Sequence, residues 1–161
     1  MFLAPTSVVV GDVELGDRVS VWYTSVVRGD VHRIRIGADC NIQDGAVLHG
    51  QLGEWPVELG KRVSVGHQAT IHGAIIENDV LIGIGARVLD GCRIGAQSLI
   101  AAGAVVREGT IVPPRSLVVG VPAKVKRELS DREMDIILRT PDRYIEYAKK
   151  SVEALGIDWA S

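Results

Sequence analysis

The stretch from Ile76 to Val112, IENDVLIGIGARVLDGCRIGAQSLIAAGAVVREGTIV, repeats one pattern every six residues. An aliphatic residue opens each repeat, at Ile76, Ile82, Val88, Ile94, Ile100, Val106 and Val112. A small residue often follows four positions later, as at Ala86, Cys92, Ser98 and Ala104. A period of six matches neither an α-helix nor a plain alternating strand. It predicts a short strand followed by a tight corner, repeated around a coil.

The same period extends toward both ends of the chain. The other aliphatic positions are Val9, Leu15, Val21, Val27, Ile36, Ile42, Leu48, Leu59, Val65, Ile71 and Val118. Three repeats would close a triangular coil, and stacked coils would pair strand over strand at about 4.8 Å. Glycine often follows the aliphatic residue, and we expect it to supply the backbone angles of the corners. Two longer stretches, 27–36 and 48–59, predict insertions that leave the coil as loops.

These repeats resemble those of hexapeptide-repeat proteins over roughly Val9 to Pro122. The resemblance implies an all-β fold, a left-handed parallel β-helix, whose handedness comes from the family and not from the period. Beyond the repeats, Ser130 to Glu133 has the pattern of a capping box, and Thr140-Pro141 that of the start of a second helix ended by Gly156. We therefore expect a β-helix domain at residues 1–126 and C-terminal α-helices, residues 127–161, packed on it.

Composition excludes several classes of function. The chain has 161 residues and a formal net charge of −2, which offers no basic surface for nucleic acid. We expect no membrane association, since no apolar segment is long enough to span a bilayer, and the start of the chain lacks a secretion signal. A cytoplasmic protein is therefore predicted. Cys40 and Cys92 occupy the small inward positions of the repeat, where buried structural thiols are expected.

Three of the four histidines, His49, His67 and His72, lie close together, each one or two positions after an inward aliphatic residue. They are expected at outward or corner positions, either as unrelated surface residues or as one site. Three imidazoles can bind zinc or a similar divalent ion and leave a fourth position for water. His67 and His72 are five residues apart in near-extended chain, too far to reach one metal easily. Ligands from two chains across a symmetric interface are the easier solution.

Three motifs carry a more specific resemblance. They are RGD at Arg28 to Asp30, NIQD at Asn41 to Asp44, and GHQATIHG at Gly66 to Gly73. Together they resemble the gamma-class carbonic anhydrases. That resemblance implies a homotrimer with one metal ion at each subunit interface, Zn²⁺ or else Fe²⁺ or Co²⁺.

The resemblance also assigns roles to individual residues. It implies that His49 and His72 are metal ligands from one chain and that His67 is the ligand from its neighbour. Gln43 matches a glutamine that hydrogen-bonds the metal's water or bicarbonate, and Asp44 matches an aspartate near the metal. Arg28 and Asp30 match an ion pair at the mouth of the site.

The implied reaction is the reversible hydration of CO₂ to bicarbonate by a metal-bound hydroxide. A site of three neutral imidazoles favours it, because the metal keeps its full charge and lowers the pKa of bound water. The sequence departs from the family prototype in its acidic residues: Val31 and the loop GQLGEWPV, with Glu54 as its one acid, replace the prototype's glutamates. Slow turnover limited by proton transfer is therefore expected. Whether Glu54 or Tyr144 reaches the site is left open.

Other functions fit parts of the same pattern. A hexapeptide-repeat acyltransferase needs one basic histidine, and the stretch VVGVPAKV at Val118 to Val125 is common to both groups. A metal-dependent thioester hydrolase or a non-catalytic assembly subunit would need the same three histidines. The histidine set with NIQD favours the anhydrase over the acyltransferase, but sequence does not separate it from the last two.

Overall fold

The computed structural model describes residues 1–156, in which short strands wind into a parallel β-solenoid with three faces. One face, here called the helix-covered face, is a sheet of β1 (Phe2–Leu3), β3 (Ser20–Val21), β5 (Asn41–Ile42), β8 (Ser64–Val65), β11 (Leu81–Ile82), β14 (Leu99–Ile100), β17 (Ser116–Gly120) and β18 (Ala123–Glu128). All neighbours in it are parallel except β17 and β18, which form an antiparallel hairpin at the end of the solenoid.

The other two faces share one sheet, because the long strands β2 (Val8–Leu15) and β4 (Val26–Ile36) bend around the edge between them. The second face, here called the histidine face, continues with β6 (Val47–His49), β9 (Thr70–His72), β12 (Arg87–Val88) and β15 (Val105–Val106). The third face continues with β7 (Val57–Leu59), β10 (Ile75–Ile76), β13 (Arg93–Ile94) and β16 (Ile111–Val112).

The periodic aliphatic residues form the core, as the sequence predicts. Ile42, Leu48, Val65, Ile71 and Ile82 are completely buried in one cluster that runs through the solenoid. The small residues four positions later are buried as well, including both cysteines. Burial raises the pKa of the Cys40 thiol to about 12, so it is an inert structural group. The predicted fold, a β-helix of hexapeptide repeats with a C-terminal helical appendage, is confirmed.

The prediction that the glycines after the aliphatic residues supply the backbone angles of the corners is wrong. At most corners the positive φ occurs three residues after the inward aliphatic, as at Asp39 (64°), Gln68 (59°) and Gly85 (66°). Gly66 and Gly83, which directly follow an aliphatic residue, have no positive φ. A Cβ on Gly66 would lie only 2.7 Å from the carbonyl oxygen of the next coil. These glycines therefore allow neighbouring coils to approach closely.

The prediction of two C-terminal helices is also wrong. A single helix, α1 (Asp131–Leu155), continues through Pro141 and packs against β1, β3 and β8. Its start matches the predicted capping box: Ser130 N–H donates to the Glu133 carboxylate at 2.8 Å, and Ser130 Oγ accepts from Glu133 N–H. Gly156, in the left-handed conformation, ends the helix as expected. No helix within residues 1–156 is long and apolar enough to cross a membrane.

Tertiary contacts explain why the helix does not break at the proline. Ile137, Pro141 and Ala148 lie on one stripe of α1 and are buried against the solenoid. Arg62 of the solenoid donates to the Leu138 carbonyl at 2.6 Å and to the Asp142 carboxylate at 3.0 Å. These contacts stabilise the turn where proline removes a backbone donor.

Candidate metal centre

Strand register places two of the three histidines side by side on the histidine face. In β6 and β9, Leu48 and Ile71 point into the core, so His49 and His72 point outward. The two histidines are direct partners in the ladder, and His49 Nδ1 lies 3.1 Å from His72 Nε2. The eighteen-residue spacing of His49 and His67 does not stack those two residues, because the insertion after His49 shifts the register by five residues.

His67 lies elsewhere in the same chain, on the corner that follows β8. Its Nδ1 is 2.8 Å from Asp44 Oδ2, and its Nε2 is 3.4 Å from the hydroxyl of Tyr144 on α1. Burial is the main cause that raises the pKa of Tyr144 to about 12, so the phenol keeps its proton at neutral pH. The helix thus brings Tyr144 to a candidate ligand, which the sequence left open.

One chain does not assemble a complete ligand set. In the described part of the chain, no group of three or more His, Cys, Asp or Glu side chains is arranged to hold a metal ion. His49 and His72 lie side by side on an open face, and His67 presents a third imidazole from a separate corner.

Each of the three histidines contacts its own aspartate. His49 Nε2 lies 2.9 Å from Asp30, His67 Nδ1 lies 2.8 Å from Asp44, and His72 Nδ1 lies 2.6 Å from Asp90. A carboxylate on one ring nitrogen fixes the ring's orientation and leaves the other nitrogen as a lone-pair donor. Such paired imidazoles are the donor set that zinc and related divalent ions prefer, so the residues present fit a metal of this class.

Sequence reasoning missed Asp90. The available signal was its distance from His72: eighteen residues, close to the length of one coil, which is seventeen residues here because Ile71 and Ile76 are only five residues apart. The register of β9 and β12 places the two residues on neighbouring coils.

Arg28 and Asp30 form an ion pair within one chain, beside His49 in the ladder. Desolvation acts to raise the pKa of Asp30, but hydrogen bonds from His49 and Arg28 outweigh it, and the pKa lies below its ordinary value. Asp30 is therefore an anion at neutral pH that accepts from both partners. Both side chains are largely exposed, at 44% for Arg28 and 43% for Asp30.

Gln43 lies beneath α1 and is only 5% exposed. Its Nε2 donates to Asn41 Oδ1 at 3.0 Å, and Asn41 Nδ2 donates to Ser64 Oγ at 2.8 Å. Because the amide nitrogen is held by Asn41, the orientation of the amide oxygen is fixed. Gln43 lines a cleft of about 450 Å³ between the solenoid corners and α1, together with His67, Ile84, Arg143 and Tyr147.

The inserted loop after His49 carries two residues singled out by the sequence. Glu54 is exposed. Trp55 is 43% exposed and packs over two glycines: a Cβ on Gly73 would lie 2.7 Å from Trp55 Cβ, and one on Gly91 would lie 3.3 Å from the indole ring. Trp55 is thus a packing residue at the edge of the histidine face, whereas Val31 is half-buried in β4 and carries no acid.

Comparisons with known proteins place the chain first in a class and then in a family. The family model described as bacterial transferase hexapeptide (six repeats) matches residues 73–108. A solved structure from Bacillus cereus, provisionally described as an acetyltransferase, superposes with a TM-score of 0.92 and 38% identity, covering 95% of this chain and 88% of that one. The chain is therefore a hexapeptide-repeat protein.

Two curated relatives narrow the class. A Methanocaldococcus jannaschii protein, named as a probable carbonic anhydrase, is 46% identical over 91% of this chain and 92% of its own length. "Gamma carbonic anhydrase 2, mitochondrial" of Arabidopsis thaliana is 38% identical over 99% of this chain, which spans 62% of that relative's length. The chain belongs to the gamma carbonic anhydrase family of hexapeptide-repeat proteins.

Proposed function

We propose that this protein is a gamma-class carbonic anhydrase that reversibly hydrates CO₂ to bicarbonate at the subunit interfaces of a homotrimer. His49 and His72 of one subunit and His67 of its neighbour would hold one Zn²⁺, with Fe²⁺ or Co²⁺ as alternatives. One observation carries the proposal: His49 and His72 are adjacent on an open face, each with a carboxylate partner, while His67 is held separately at a corner.

The apolar surroundings of the histidine pair support a subunit interface. Val8, Val26 and Val47 form one outward row across β2, β4 and β6. Val8, Val10 and Val47 are 46%, 47% and 36% exposed in the single chain. Burying this row of valines against a second copy would stabilise the association of the two subunits. That copy would bring its own His67 to the site.

When bound, the metal would supply a Lewis acid that lowers the pKa of a water molecule to about 7. The residues of this chain then have separate tasks. Gln43 offers an amide oxygen, fixed by Asn41, that can accept a hydrogen bond from a hydroxyl group and so orient it. Asp30 and Asp44 hold the rings of His49 and His67. Arg28, exposed beside His49, places positive charge where the bicarbonate anion enters and leaves.

Elemental analysis of the purified protein tests the ligand set. We expect close to one metal ion per chain, lost in His72→Ala because the remaining imidazoles cannot hold it. His32→Ala is the matched control, since His32 accepts from the Arg33 backbone N–H and has no proposed metal role. Full metal retention by His72→Ala would show that the ligand set is wrong.

Mixing two defective variants tests whether ligands come from two chains. His67→Ala and His72→Ala proteins should each lack metal as homotrimers. In mixed trimers, an interface that combines His49 and His72 of the His67→Ala chain with His67 of the other chain is intact. Partial recovery of metal and CO₂ hydration is expected. No recovery in trimers shown by mass spectrometry to be mixed would contradict the interfacial site.

We expect CO₂ hydration to be slow and limited by proton transfer to solvent. Val31 provides no proton acceptor, and Glu54 is the one carboxylate that the exposed inserted loop offers as a relay. kcat should therefore rise with the concentration of an imidazole-type buffer while kcat/KM stays constant. Val31→Glu together with an acidified loop should reduce that dependence. A high kcat that is indifferent to buffer would contradict this expectation.

Acyl chemistry is the second candidate. The cleft of about 450 Å³ reaches His67 and is larger than CO₂ requires, with Ile84 and Tyr147 on its walls and Arg143 beside them. An acyltransferase or a metal-dependent thioester hydrolase would use that space. Acetyl-CoA hydrolysis and acetyl transfer should be assayed in parallel with CO₂ hydration on the metal-loaded trimer. Activity in neither assay would favour a non-catalytic assembly subunit.

A further inference from the structure

Asp90 is fixed on the coil directly beyond His72. Its Oδ1 lies 2.6 Å from His72 Nδ1, the shortest of the three histidine–aspartate contacts described above. The backbone around it is part of the solenoid: Gly91 N–H donates to the Gly73 carbonyl, and Gly109 N–H donates to the Asp90 carbonyl, both at 2.8 Å. The carboxylate is therefore placed by the coil repeat and not by a mobile loop.

Glycine at position 73 leaves room for the contact between His72 and Asp90, and Trp55 of the inserted loop packs beside it. A Cβ on Gly73 would overlap Asp90 Oδ1. Trp55 packs over Gly73 and Gly91, the residues that follow His72 and Asp90. The side chains of His72 and Asp90 are only 31% and 24% exposed. Partial exclusion of water strengthens a hydrogen bond to a carboxylate.

We propose that Asp90 is a positioning residue that holds the His72 proton on Nδ1 and so keeps the Nε2 lone pair directed toward His49. The inference deepens the proposed function and rests on His72 being a metal ligand. A neutral imidazole has one nitrogen with a proton and one without, and the partner of the first decides which is free to bind a metal. Here Nε2, 3.1 Å from His49 Nδ1, is the nitrogen that faces the candidate metal position.

The tautomer can be read in the metal-free protein. Long-range ¹H–¹⁵N correlation spectra at mildly alkaline pH, where a free imidazole is neutral, distinguish Nδ1–H from Nε2–H rings. We expect Nδ1–H for His72 in the wild type and a mixture of both forms in Asp90→Asn, whose neutral amide can donate as well as accept. A wild-type ring protonated on Nε2 would overturn the proposal.

Metal affinity gives the second readout. Asp90→Asn should weaken Zn²⁺ binding by about 10- to 100-fold in competition with a chelator. Asp79→Asn is the matched control, because the Asp79 side chain is 22% exposed and its partner is Arg62. Affinities of the two variants that agree within twofold would overturn the proposal.

A glycine pair tests the geometry without changing any charge. Gly73→Ala places a methyl group against both Asp90 Oδ1 and Trp55 Cβ, and it should lower Zn²⁺ affinity by displacing the carboxylate. Gly85→Ala imposes similar backbone strain at φ +66° but meets no atom within 4 Å. Its affinity should match the wild type, and equal losses in both variants would count against Asp90. If the wild-type trimer binds no metal, the proposed function fails, and the His72 tautomer still decides the role of Asp90.

Discussion

The helix-covered face and the histidine face are built from the same repeat, yet their outward residues have opposite surroundings. On the helix-covered face, Ser20, Asn41 and Ser64 are at most 2% exposed. Beneath α1 they form hydrogen bonds with one another or with neighbouring side chains. On the histidine face, Val8 and Val47 are exposed beside the imidazoles of His49 and His72. The comparison teaches that one face is covered by the chain's own helix and that the other is left open, as the proposed interface with a second copy requires.

The largest expected effect is on the open face. Val47→Glu should prevent trimer formation, because a carboxylate would be buried without a partner in the proposed interface. Light scattering should then report a species near the chain mass of 17.3 kDa, with metal lost as a consequence.

Ile111→Glu is the control for this change. Ile111 lies outward on the third face and is 74% exposed, so the added charge should stay in water. Its trimer and metal content should be unchanged. An intact trimer in Val47→Glu would place the interface elsewhere.

A smaller effect is expected on the covered face. Asn41→Ala removes the oxygen that accepts from Gln43 Nε2 and the nitrogen that donates to Ser64 Oγ, both beneath α1. The free energy of unfolding should therefore fall by about 1–3 kcal/mol. Chemical denaturation of the metal-free protein measures it. Asn78→Ala is the control, since it removes the exposed Oδ1 that accepts from Lys61 N–H, and water can replace that acceptor. Equal losses would mean that burial of the Asn41 network adds nothing.

Weakening the helix itself should cost less. Ser130→Ala removes the N-cap of α1, and we expect a loss of about 1 kcal/mol in unfolding free energy. Ser151→Ala, within the helix, should change stability by at most a few tenths of a kcal/mol, because Ser151 only donates to the Tyr147 carbonyl. A comparable loss in both variants would contradict the role of the cap.

The smallest effect is the pH dependence of the same cap. Hydrogen bonds from Arg127 and then from Ser130 lower the pKa of Glu133 to about 2 from an ordinary 4.5. The stabilisation is therefore fully present above about pH 5 and is lost as pH falls toward 2. The difference in unfolding free energy between wild type and Glu133→Gln should shrink over that range, whereas Ser151→Ala, which removes no ionisable group, should show no such trend. A difference that is constant with pH would argue against this ionic cap.

Short-range patterns made most of the fold predictable. The six-residue period identified the buried aliphatic and small positions, and the capping box identified the start of the helix. The continuation of α1 through Pro141 was not predictable, because it depends on Arg62, which lies about eighty residues earlier in the chain. The role of Gly66 and Gly83 was likewise misjudged, because the atoms that require glycine belong to the next coil.

The sequence by itself determined the repeat, the family motifs and the candidate ligands His49, His67 and His72, because each is encoded in neighbouring residues. Only the tertiary structure decided that His49 is paired with His72, since the inserted loop sets the register between coils. It also decided that Asp90 contacts His72 and that Tyr144 contacts His67. Those contacts join residues from different coils or from the helix, and their distances depend on how the whole solenoid stacks.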